Sequence, residues 1–236
     1  MKPDAFFRQL HSRIAPYDLL CHPFYKAWSA GELTADDLRD YAEDYYHHVA
    51  AFPTYLAEFA ARLHAGELQQ AVLANRADEE GLAHASPDRP VPHSELWLDF
   101  VEGVGGERNR NSSVCLPAVA ELVEKFHQVA REGTEEEALA SFYAYESQVP
   151  RIAREKALGL STRYDADEKT CAYFTLHAAA DVYHAEVWRK LLGSRVESDE
   201  RAERALAAAE SAAKQLWRAL DGIEQRRRPA PAAMVN

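Results

Sequence analysis

The chain is poor in the residues on which several common functions depend. Only three of its 236 residues are cysteines, Cys21, Cys115 and Cys171, an odd and scattered set with no CxxC pair. They read as reduced, packed thiols rather than as a disulfide framework. Glycine is scarce, with ten residues, and no run of alternating β-branched residues occurs. Alanine, leucine and glutamate dominate instead, so the period is helical nearly throughout and an all-α fold is expected. Long apolar runs are also missing. None approaches the ~18 residues needed to span a bilayer, and the opening MKPDAFFRQLHSRIAPYDLL lacks the basic-then-apolar layout of a signal peptide. A cytoplasmic protein is expected. Basic residues are outnumbered by acidic ones, 27 to 38, for a formal charge of −11. That balance argues against nucleic acid and anionic membrane surfaces as partners.

What is there is enough chain to bury a substantial core and to carry a polar site inside it. The pattern predicts helices over residues 3–14, from His22-Pro23, and from a capping box at Thr34 and Asp37 to about His64, with a kink at Pro53. Within that third helix Tyr41, Tyr45, His48 and Phe52 make an aromatic stripe that reads as core. Further helices are expected over 66–84, from a Ser94 cap through SELWLDFVEGV, over 116–132, from a Thr134 cap to Leu158 with a kink or restart at Pro150, over 166–194 and over 198–223. A single domain over 1–223 is expected, followed by a disordered tail over 224–236, EQRRRPAPAAMVN, which has little to bury.

One stretch stands apart. In HAAADVYH, His177, Asp181 and His184 leave an ideal helix at about 0°, 40° and −20°, a single narrow face. Imidazoles and carboxylates together suit iron, manganese or zinc, and two-metal centres in helical bundles draw inward-facing Asp, Glu and His from several helices. Two further carboxylates qualify. Glu79 continues the stripe of Leu68, Val72, Asn75 and Leu82, whereas Glu80 falls about 100° further round. Glu146 follows Phe142, Tyr143 and Tyr145, where an ionised carboxylate is costly without a cation or partner. His93 and His84 compete as a further nitrogen ligand.

These residues carry a resemblance. LCHPFYKAWSAGELTADDLRDYAEDYYHHVAAFPTYL, then DEE with a following HSELW, then YAYESQVPRIAREKALGL, then HAAADVYH, spread over about residues 15–195, resemble the CADD family, named for a protein associating with death domains. That family sits among the haem-oxygenase-like dimetal oxidases, with PqqC and TenA as wider relatives. The resemblance implies a seven-helix bundle enclosing two metal ions, Fe/Fe or Mn/Fe, with Glu79, His93, Glu146, His177, Asp181 and His184 as ligands. The segment between Glu79 and His93 is longer here than in relatives, with Pro87, Pro90 and Pro92, so Glu80 and His84 remain possible substitutes.

The implied activity is synthesis of p-aminobenzoate for folate, by a self-sacrificing reaction. Oxygen and an external reductant are consumed, the enzyme's own Tyr25 side chain is cut, Lys156 supplies the amine, and Tyr145 stands beside the ligand Glu146. Two other readings accompany this one: the same dimetal site oxidising a separate small molecule, and a non-enzymatic interaction protein of death-domain type. So many ionisable groups facing one interior without a cation argue against the latter. Relatives of this fold also lead us to expect a homo-oligomer, in the simplest case a dimer.

Overall fold

Two of the helix starts are set by local chemistry alone. Thr34 accepts from the Asp37 amide while the Asp37 carboxylate accepts from the Thr34 amide, and Thr134 and Glu137 repeat the exchange a hundred residues later. Each pair satisfies two otherwise unpaired N–H groups at once. The protein is described by a computed structural model covering residues 2–82, 91–108 and 115–228. Its α-helices in chain order are α1 Pro3–Ile14, α2 Pro23–Ala30, α3 Ala35–Ala61, α4 Glu67–Glu79, α5 His93–Gly103, α6 Pro117–Glu132, α7 Glu135–Glu146, α8 Val149–Arg163, α9 Glu168–Gly193 and α10 Asp199–Arg227. No strand is present among the described residues, and no helix there is long and apolar enough to cross a membrane.

Helix α10 packs against α1, α6 and α7, and α9 packs against α5, α7 and α8, while α3 lies along α4, α5 and α6. This all-α bundle has one continuous core in which Trp28, Trp97, Trp188, Tyr41 and Tyr55 are fully enclosed. The segments outnumber the seven helices of the expected bundle partly because one path is broken in two. After Glu146 the chain turns through Ser147 and Gln148, and Pro150 re-enters helix in the first turn of α8, where its missing N–H has no partner to lose. Helix α3, by contrast, continues past Pro53.

Four of the boundaries that differ from the sequence expectation do so for a plain physical reason. Helix α5 begins at His93 and not behind a Ser94 cap. Pro92 is extended at its N-cap, and the Pro92 carbonyl accepts from the Glu95 and Leu96 amides. Helix α8 continues past Leu158 to Arg163, ahead of Tyr164, whose hydroxyl binds the Leu33 amide and the Trp28 carbonyl. Helix α10 runs past residue 223 to Arg227, because Arg226 pairs with Asp44 and Asp40 of α3 and Arg227 with Asp37 and Glu224. Residues 224–227 of the expected disordered tail are therefore helical, and residues 229–236 lie outside the described ones.

The fourth difference shapes the site. Helix α4 ends at Glu79, five residues short of the expected 84. Gly81 takes a left-handed φ of 69°, its N–H binds the Asp78 carbonyl at 3.0 Å, and the Leu82 N–H binds Ala77 O at 2.7 Å. This is the double closure of a Schellman C-cap, and it leaves Leu82 exposed rather than on the core stripe. A Cβ on Gly81 would stand 2.6 Å from the Val91 carbonyl carbon. The bare Cα thus lets the start of α5 return against the end of α4. Gly81→Ala combines that clash with a left-handed backbone cost of roughly 1–2 kcal/mol, so it is expected to lower the melting temperature by several degrees. Thermal denaturation measures this, and an unchanged melting temperature would mean the two helix ends are not held by this contact.

Candidate metal centre

Three of the site's side chains sit at helix ends and three on one helix face. Glu79 is the last residue of α4, His93 the first of α5, Glu146 the last of α7, and His177, Asp181 and His184 project from the middle of α9. A helix C-terminus carries partial negative charge, so Glu79 and Glu146 each add a carboxylate where the field already disfavours one. All six are at most 5% exposed, so water does not solvate them. The side chains form two groups, Glu79 with His93 and His177, and Glu146 with Asp181 and His184, each offering three ligand atoms within 4.8 Å of one another.

The proton positions in this interior are arranged for a cation. His177 Nδ1 donates to the Tyr173 carbonyl at 2.7 Å, which fixes the tautomer and leaves the Nε2 lone pair facing Glu79 Oε1 at 4.0 Å. His93 Nδ1 lies 3.0 Å from Glu79 Oε2, within ion-pair range but poorly aligned, so this buried nitrogen makes no hydrogen bond. His184 Nε2 lies 3.0 Å from Asp78 Oδ2, and its Nδ1 lies 3.3 Å from Asp181 Oδ1. With Nε2–H given to Asp78, two lone pairs meet at Asp181 unless a proton or a metal stands between them. Glu146 accepts from Asn75 Nδ2 at 3.1 Å and from Trp188 Nε1, and Asn75 Oδ1 is left without a partner.

Without a cation the charges are strained in opposite directions. Burial pushes the Glu146 carboxyl up, and Asp181 and Glu79 push it further. Burial also pulls His184 down, but Asp181, Glu146 and Asp78 outweigh it and raise the imidazole to about 10. Glu79 ends below the usual carboxylate range because His93, with His177 and His184, overcomes its desolvation. A divalent ion at each triad would relieve all of these at once. The residues present fit such ions.

Every one of the six residues singled out in the sequence is in one of the two triads, and the proposed substitutes are not. Glu80 caps α4 and pairs with Arg76 at 2.8 Å on the surface side, and His84 lies outside the described residues. Sequence reasoning missed Asp78 as the partner of His184, because 106 residues separate them. It also missed Tyr173 and Trp188. Tyr173 was findable, since it precedes His177 by one helical turn and stacks on that ring at 3.9 Å.

A second cavity adjoins the first. The metal-side cavity is bounded by Tyr145 and Tyr173 together with Glu79, Glu146, His177 and Asp181, and the same two tyrosines border a neighbouring one lined by Tyr25, Tyr45, Trp97 and Lys156. Lys156 is buried, with its Nζ 4.3 Å from the Tyr25 ring centre and 4.4 Å from that of Tyr41. It donates to the Tyr41 hydroxyl, which lies 3.1 Å from the Tyr25 hydroxyl. Burial alone holds its amine well below the ordinary lysine value.

Comparison with known proteins follows the same lines. A model of a family described as iron-containing redox enzymes matches residues 39–217. The chain belongs to that family. The redox enzyme is 34% identical to a 4-aminobenzoate synthase of Nitrosomonas europaea, covering 95% of this chain and 93% of that one. It is 35% identical to a 4-aminobenzoate synthase of Chlamydia trachomatis, over 92% and 91% of the two. A solved TenA homolog from Pseudomonas syringae shares the fold of the enzyme, with a TM-score of 0.78 at 17% identity and coverage of 95% and 96%.

Two predictions follow from this geometry. Glu79→Ala and Glu146→Ala each remove a donor from one triad only, so each is expected to lower bound iron or manganese by about half, measured by elemental analysis after loading; full retention by both variants would count against the two triads. For Lys156, only the unfolded chain holds the proton between the depressed folded pKa and about 10.4, so stability rises with pH across that window. Lys156→Met is therefore expected to be more stable than the parent at neutral pH, by a margin that shrinks toward pH 10. Thermal denaturation at both ends of the window reads the margin, and a constant margin would mean that the amine is charged in the fold.

Proposed function

We propose that this redox enzyme forms p-aminobenzoate from its own Tyr25 side chain, with Lys156 as the source of the amine. The observation that carries the reading is the buried Lys156 nitrogen, lying 4.3 Å from the centre of the Tyr25 ring with its pKa held down by desolvation. That cavity shares Tyr145 and Tyr173 with the one enclosed by the two triads. The two relatives named 4-aminobenzoate synthase, similar over nearly their whole length, support it.

The atoms match. A tyrosine ring carries oxygen para to Cβ, and p-aminobenzoate carries nitrogen para to a carboxyl carbon. Cutting the Cα–Cβ bond of Tyr25, oxidising Cβ to the carboxylate, losing the phenol oxygen as water to an attacking Lys156 Nζ and then cutting the Lys156 Cε–Nζ bond connects the two. Bound at the triads, a metal pair supplies the oxygen-activating chemistry that such oxidation needs, and three carboxylates with three imidazoles suit Fe/Fe or Mn/Fe. An external reductant supplies the balance of electrons.

The chain's own groups do the rest. The Tyr173 carbonyl on α9 orients His177, and Asp78 on α4 orients His184. Burial keeps water away and leaves Lys156 nucleophilic. Tyr41 bridges the Lys156 amine and the Tyr25 hydroxyl, fixing both. Tyr145 borders both cavities, so its phenol is placed to pass a hydrogen atom between them.

The test is intact-protein mass spectrometry before and after metal-loaded protein meets oxygen and a reductant, with p-aminobenzoate assayed in the supernatant. The expected result is loss of mass at Tyr25 in step with product release, and neither in Tyr25→Phe or Lys156→Arg. An unchanged chain with metal bound would overturn the self-sacrificing reaction and direct attention to a separate substrate in the same cavity.

A further inference from the structure

The reacting tyrosine of that reading sits in the first turn of α2, a helix of eight residues. So short a helix is not stable in isolation, and its direction is set by what holds its ends. At the C-terminus Gly31 closes it with a left-handed φ of 73°. At the N-terminus stands His22, which is completely buried.

His22 is an unusual N-cap. Its Nδ1 accepts from the Phe24 amide at 3.1 Å, the role Ser, Thr, Asp or Asn commonly fills. Its Nε2 lies 3.1 Å from Asp221 Oδ1 on α10, and its ring meets the edge of Trp217, also on α10, at 4.7 Å. A ring nitrogen that accepts cannot carry a proton, so Nδ1 is bare and Nε2–H donates to Asp221. Serine or aspartate could cap α2, but neither could also reach α10. The neutral imidazole does both, and burial favours that neutral form over the opposing pull of Asp221 and Glu224.

We propose that His22 is a positioning residue. Locked in one tautomer, it clamps the first turn of α2 to α10 and so holds the Tyr25 ring at reacting distance from Lys156 on α8. This inference rests on the proposed function for its chemical consequence. The hydrogen bonds and ring contact of the His22 side chain run to Phe24, Asp221 and Trp217 and not to Lys156 or either triad, so its loss should separate Tyr25 chemistry from metal binding, a separation that general unfolding would not produce.

The test compares the full-length, metal-loaded parent with His22→Leu, His22→Asn and Asp221→Leu. Three quantities are read in each: metal content, hydrogen exchange over residues 22–28, and the fraction of chains that lose the Tyr25 side chain on exposure to oxygen and reductant. His22→Leu is expected to keep its metal, to exchange about fivefold faster or more at α2, as loss of a cap implies, and to lose most of its Tyr25 modification. His22→Asn, which restores an acceptor at the cap without the reach to α10, is expected to recover part of the slow exchange and little of the yield. Asp221→Leu, which removes only the partner of Nε2–H, should lie between.

Wild-type yield in a metal-loaded His22→Leu protein would overturn the proposal, as would wild-type yield in the Asn variant, which caps α2 without reaching α10. Should His22→Leu fail to fold, His22→Asn and Asp221→Leu decide, since parent-like exchange and yield in Asp221→Leu would remove the clamp to α10. If the parent itself loses no mass at Tyr25, the proposed function fails, and exchange at α2 still decides the clamp.

Discussion

Three carboxylates and three imidazoles share one dry interior, and everything around them is arranged to make that tolerable. Desolvating a single unpaired charge is among the costliest things a fold can do. Here the cost is met by alternation. Each triad mixes carboxylate with imidazole, His177 and His184 each have one nitrogen committed to the Tyr173 carbonyl or to Asp78, and Asn75 and Trp188 donate to Glu146. A core built only for stability has no use for this pattern. A cavity shaped around cations does, and the pattern accounts for the placement of acidic residues at the ends of α4 and α7, where helix dipoles disfavour them.

The second cavity shows the complementary strategy. Around Lys156 there is aromatic surface instead of counter-charge: the rings of Tyr25, Tyr41, Trp28 and Phe174 all lie within about 6 Å of its amine. Desolvation without a carboxylate partner pulls the amine below the ordinary lysine value, whereas the metal-side cavity sets carboxylates against imidazoles. One fold thus holds a compartment of paired ionisable groups beside an aromatic one, with Tyr145 and Tyr173 as the partition.

Much of this could be read from the sequence wherever the signal was local. The period of His177, Asp181 and His184, the stripe from Leu68 to Glu79, the capping box at Thr34 and the cap at Thr134 all depend on neighbours within a few turns, and the structure keeps them, while Leu82, read as the end of that stripe, is exposed. What escaped depends on contacts between distant segments. The division of six residues into two triads, the reach of Asp78 to His184 and the clasp of Arg226 on Asp44, 182 residues away, are products of packing with no trace in spacing. Boundaries failed for the same reason. Nothing in the periodicity of α4 says that Gly81 will meet the backbone of Val91.

That meeting has a consequence for how the chain tolerates variation. Glu79 and His93 belong to one triad and lie fourteen positions apart, and the Schellman turn with its close backbone approach fastens the chain on both sides of residues 83–90. The separation of Glu79 from His93 is therefore fixed where Gly81 meets the backbone of Val91, at the base of the connection between α4 and α5. Lengthening a loop already closed at its base costs little, since closure entropy grows only logarithmically with length.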